Sequence, residues 1–165
     1  MPLNNNSPSS SSEVLLSDIT LGGDNAVMAD VDVANYSNYK ILFDGYVSGA
    51  SGLRLQFNAD TGNNYSYHKI YGVTATTTTD GANSQVSCEI FTITTTDRCL
   101  GVIYICNTAA GMPKSITGTF CKSNNYTAVT GGTWDNAVNL ITHIKAFSSA
   151  GNMKAGSRMR IYGVV

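Results

Sequence analysis

The chain has 165 residues, ten Lys and Arg against eleven Asp and Glu, a net charge of −1, and only 13% charged residues. A chain of this length is one domain that buries roughly 70% of its extended surface, so a self-sufficient core is expected. The sparse charge excludes a basic phosphate-binding face, which makes nucleic acid a poor partner. No apolar run approaches the roughly 18 residues of a membrane helix, so no membrane partner is expected either.

Residues 1–13 read as an extended arm: Met1, Pro2, Leu3, Asn4, Asn5 and Asn6, then Ser7, Pro8 and four serines. Such a segment holds too little apolar surface to order itself. Met1 to Asn6 are therefore the candidate partner-binding residues. The same stretch lacks the basic and apolar regions of a secretion signal, so synthesis and folding in a cytoplasm are expected.

From Val14 to Val165 a single all-β domain is expected. Strands are predicted over 14–21, 27–33, 39–48, 53–58, 65–73, 86–94, 99–107, 115–122, 140–147 and 157–164, each bounded by Gly, Asn, Asp, Ser or Pro. Ten short strands rich in Val, Ile, Thr and Tyr predict an antiparallel β-sandwich, with a jelly roll the favoured topology. Thr76–Thr79 with Asp80-Gly81 reads as a loop. Residues 134–140 come nearest to a helix and have too few turns to stand alone.

Leu53, Leu55 and Phe57 alternate with Arg54, Gln56 and Asn58, the period of a strand with one wet face. Residues 157–164 read the same way. The segment Cys99–Asn107 is nearly all apolar instead, so both its faces are expected to be covered, one by a loop, an arm or another subunit.

The four cysteines, at 88, 99, 106 and 121, show no C-x-x-C spacing and read as reduced thiols, Cys88 and Cys106 on buried faces. Any disulfide would involve Cys99 or Cys121. His68 and His143 have no ligand-spaced neighbours, and neither a nucleophile elbow nor a phosphate loop is present, so no enzyme activity and no cofactor are expected. Tyr36, Tyr39, Tyr65, Tyr67 and Tyr126 are the best candidates for exposed rings that a glycan would stack on.

The most specific segment follows Phe57. Asn58, Asp60, Asn63 and Asn64 offer the oxygens a calcium ion prefers, but with one carboxylate and no Asp-x-Asp-x-Asp-Gly spacing. The preferred reading is a self-capped corner in which Asn58, Asp60, Asn64 and Tyr65 hydrogen-bond and pack, with Gly62 at positive φ.

Phe57-Asn58-x-Asp60-Thr61-Gly62-Asn63-Asn64-Tyr65-Ser66-Tyr67-His68-x-x-Tyr71-Gly72, with the closing Gly156-Ser157-x-x-x-Ile161-Tyr162-Gly163, resembles a pattern recurring in small virion structural proteins of tailed bacteriophages. The resemblance spans nearly the whole chain. It implies a jelly-roll head decoration or cement protein, located on the capsid surface of the virion. Such a protein is a homotrimer bound to the major capsid protein over capsomer junctions, and the arm is expected to run along the shell or onto a neighbouring subunit. The same resemblance admits an alternative: a tail fibre or tail-tip module that recognises host surface glycan.

Overall fold

A computed structural model describes residues 12–33, 36–47, 51–73, 76–93, 98–107, 111–122, 126–136 and 138–165. The candidate partner-binding residues Met1 to Asn6 lie outside them. The chain runs through β1 (Glu13–Thr20), β2 (Val27–Asp32), β3 (Asn38–Gly45) and β4 (Ser51–Phe57). A hairpin follows, β5 (Tyr65–Val73) and β6 (Thr76–Gln85), and then β7 (Cys88–Ile93) and β8 (Cys99–Cys106). A second hairpin, β9 (Lys114–Lys122) and β10 (Tyr126–Trp134), precedes β11 (His143–Ser148) and β12 (Arg158–Val164).

These strands form two antiparallel sheets, in the order β1-β12-β3-β8-β9-β10-β5-β6 and β2-β11-β4-β7. Setting aside the two hairpins and renumbering the other eight strands 1 to 8, the sheets read 1-8-3-6 and 2-7-4-5. That is the double Greek key of a jelly roll. Both hairpins are inserted between its strands, and both add to the same sheet beyond β8. The all-β sandwich expected from the sequence is therefore present, with a jelly roll at its centre.

Alternation explains most of the strands. In β3, Tyr39, Ile41 and Phe43 are buried, while Lys40, Leu42 and Asp44 point to the other side. In β9, Ile116 and Phe120 do the same, with Gly118 between them. The inward rows of both sheets meet in one core, where Phe91 packs against Phe43 and Phe120 at ring-centroid distances of 5.7 and 4.4 Å.

Several expectations from the sequence are corrected. Glu13, placed at the end of the arm, is the first residue of β1 and pairs with Val164. Thr76–Gly81 is not a loop: it lies in β6, paired with β5. This edge strand touches one neighbour and is exposed along nearly its whole length, so no apolar alternation marks it. Tyr126–Trp134 is also a strand, which the Gly131-Gly132 pair disguised as a boundary. Gly132 is required inside it, since a Cβ there would sit 2.6 Å from Cys88 Sγ and 2.8 Å from the Ser66 carbonyl.

Two strand faces are also reversed from expectation. β4 has no wet face: Gln56 is buried and Arg54 half-buried, both engaged with residues of the neighbouring β7 side. β8, expected to be covered on both faces, gets no cover from the described residues of its own chain on one of them, where Leu100 and Tyr104 are exposed.

Candidate functional site

The corner that carries the phage resemblance begins at a turn in which Asp60 N–H donates to the Phe57 carbonyl at 2.9 Å. Its two central residues, Asn58 and Ala59, have φ of 52° and 54°. Asn tolerates this left-handed region because its short polar side chain finds local partners. Positive φ was expected at Gly62 and falls instead on these two residues. Gly62 serves a different need: a Cβ there would lie 2.8 Å from Asn64 Nδ2 and 3.0 Å from Asp60 Oδ1.

Asp60 is the centre of the corner. Its Oδ1 accepts from Gly62 N–H at 2.8 Å, and its Oδ2 accepts from Asn64 Nδ2 at 2.9 Å and from the indole Nε1 of Trp134 at 2.7 Å. Burial raises the carboxyl's pKa, but the bonds from Asn64, Trp134 and Gly62 outweigh it and hold the group below its ordinary value. Asn58 reaches the opposite way. Its Oδ1 accepts from the backbone N–H groups of Thr142 and His143, and its Nδ2 donates to the Leu140 carbonyl. Tyr65 Oη accepts from Phe57 N–H at 2.8 Å, and its ring joins Phe57 and Trp134 in an aromatic cluster.

The structure thus brings Asn58, Asp60, Gly62, Asn64 and Tyr65 into one corner that ties β4, β5, β10 and the approach to β11 together. The side-chain oxygens of Asn58 and Asp60 point at N–H groups of the chain, which leaves a cation nothing to displace except structural bonds. Among the described residues, no group of three His, Cys, Asp or Glu side chains converges to hold a metal ion.

A second polar cluster went unread in the sequence. Lys69 of β5 is 2% exposed and directs Nζ at Glu89 of β7, with Asp80 Oδ2 at 3.0 Å and Thr92 Oγ1 at 2.9 Å. Glu89 also takes Arg54 of β4 at 2.7 Å. Burial alone would lower the Lys69 pKa, but Glu89 and Asp80 raise it overall. Burial likewise pushes Glu89 up, yet Lys69 and Thr92 hold it below its ordinary value. Desolvated charges persist only when paired in this way. The signal was legible in the parity of β5, since Lys69 shares its row with the buried Tyr65 and Tyr67.

Of the five tyrosines offered for glycan stacking, Tyr39, Tyr65, Tyr67 and Tyr126 are buried and Tyr36 is half-buried. All four cysteines are free: Cys88 and Cys99 are buried, Cys106 is intermediate and Cys121 exposed. Burial pushes the Cys88 and Cys99 thiols up to about 12, so neither is a thiolate at neutral pH.

A further accessible feature is the outward face of the eight-stranded sheet. A shallow groove of about 440 Å³ crosses it, floored by Leu42, Leu100, Val102 and Thr119 and bounded by Arg158 and Arg160. No family model, curated protein or solved structure matches this chain.

Proposed function

We propose that this protein is a structural component of a tailed-phage virion, a decoration protein that binds the major capsid protein on the outside of the assembled head as a homotrimer. The observation that carries this reading is the fate of the motif that resembles such proteins. Asn58, Asp60, Asn64 and Tyr65 of that motif are engaged in hydrogen bonds within the corner, so the most specific segment of the chain builds a structural element. A jelly roll whose first strand, β1, lies at a sheet edge suits a protein that extends an N-terminal arm onto a lattice. A partner that binds only assembled shell stabilises it by RT ln(1 + [L]/Kd) at each site, summed over many sites.

The glycan-binding alternative draws little support, because four of the five rings assigned to it are buried. Copy number per purified particle tests the proposal. A simple fraction of the major capsid protein count supports decoration, and a handful of copies moves the protein to the tail. Removing residues 1–11 should leave the sandwich folded and abolish shell binding; retained binding would refute the role of the arm.

A further inference from the structure

We infer that the outward face formed by β8, β9, β10 and β5 is a self-association surface, covered in solution by another copy of this chain. It deepens the self-assembly part of the reading above and holds for a head or a tail location alike.

The register of these four strands puts their outward residues in continuous cross-strand rows. Val102 pairs with Thr119, Thr119 with Val129, and Val129 with Ile70. One step along, Leu100 pairs with Cys121 and Cys121 with Thr127. No Lys, Arg, Asp or Glu stands at an outward position of these four strands. Leu100, Tyr104, Val129 and Ile70 are each between 47% and 56% exposed.

Area and charge together indicate what covers this face. Four strands at about 4.8 Å spacing, each with four outward residues about 6.6 Å apart, span on the order of 500 Å². Its large apolar members, Leu100, Val102, Tyr104, Val129 and Ile70, stand among Ser, Thr, Cys and Gly, and an exposed patch of this order on a monomer is often functional. A standard interface takes about 800 Å² from each partner, an apolar centre inside a polar rim. The rim is present, and two of its cations are paired within the chain, Arg158 with Asp18 and Arg98 with Asp44. A strongly acidic or basic partner would find no countercharge at the centre. A second copy, carrying the same neutral Thr-, Val- and Leu-rich surface and a net charge of only −1, meets neither repulsion nor an unpaired buried charge.

The test uses the full-length chain, Val129→Arg, and Val138→Arg as a control in an exposed loop. Molar mass is measured by light scattering after size exclusion, and the maleimide reactivity of Cys121 is followed by peptide mass spectrometry. Wild type and Val138→Arg should run as one defined oligomer with Cys121 protected. Val129→Arg should be monomeric, with circular dichroism unchanged and Cys121 labelling at least tenfold faster. A monomeric wild type at tens of micromolar would overturn the inference, as would a Val129→Arg protein that keeps the oligomer. An intact oligomer that fails to bind shells would instead count against the capsid reading and leave this one standing.

Discussion

Trp134 donates its indole N–H to Asp60 Oδ2 at 2.7 Å, although the two residues stand 74 positions apart in the chain. The bond fastens the β4–β5 corner to the end of β10, and the ring of Trp134 packs on Phe57 and Tyr65 at the same place. Trp134→Phe keeps most of that packing and removes only the donor. It should cost about 1.5–3 kcal/mol, the range for a hydrogen bond to a charged group. Asp60→Ala, which orphans Asn64 and Gly62 N–H as well, should cost more. Urea unfolding midpoints at constant m-value order the two variants.

Asn58 combines a φ of 52° with side-chain bonds to the segment from Leu140 to His143. Asn58→Gly keeps the backbone freedom and loses the bonds; Asn58→Ala loses both. The Ala variant should therefore be less stable than the Gly variant by roughly 1 kcal/mol. Equal stabilities would mean that the backbone conformation carries no strain.

Lys69 and Glu89 form an ion pair with both members buried. Removing one partner strands the other, so Lys69→Met and Glu89→Gln should each cost roughly 3 kcal/mol or more. Their double variant should cost clearly less than the sum of the two. An additive cycle would show that the charges are not coupled.

The same cluster sets a pH window. Glu89 and Asp80 are held below their ordinary values of 4.5 and 3.8, so the stability they contribute is present above those values and lost as pH falls through the folded ones. Lys69 is raised above 10.5, so its contribution is complete below that value and lost as pH rises through the folded one. Asp80 is half exposed and its share is correspondingly screened. Denaturation midpoints should be flat across neutral pH and fall at both ends. Glu89→Gln should have a shallower acid limb; an unchanged acid limb would take Glu89 out of the account.

Gly131 and Gly132 are adjacent but unequal. A Cβ at Gly131 meets nothing within 4 Å, whereas one at Gly132 meets Cys88 Sγ at 2.6 Å and the Ser66 carbonyl at 2.8 Å. Gly131→Ala should be neutral or slightly stabilising, and Gly132→Ala should cost about 1–3 kcal/mol through overpacking. Thermal melts of the pair separate the two effects.

The sequence by itself determined the all-β class, the inward rows of β3, β9 and β12, and the position of the corner after Phe57. Each of these is written in neighbouring residues: a period of two for a half-buried strand, and Asn, Asp and Gly where the chain must turn. What covers a strand is decided by partners far along the chain, and there the tertiary structure alone decided. Parity placed Lys69 beside Tyr65 and Tyr67, but only the approach of Glu89 and Arg54 lets an ammonium sit there buried. Composition made Cys99–Asn107 look enclosed on both sides, yet the described residues of the chain itself leave the sheet's second face open. The exposed Thr-rich run of β6 reads as a loop until β5 lies beside it, because an edge strand draws its hydrogen bonds from a neighbour and buries almost nothing of its own. Local periodicity fixes which residues share a face, and only long-range pairing fixes what that face meets.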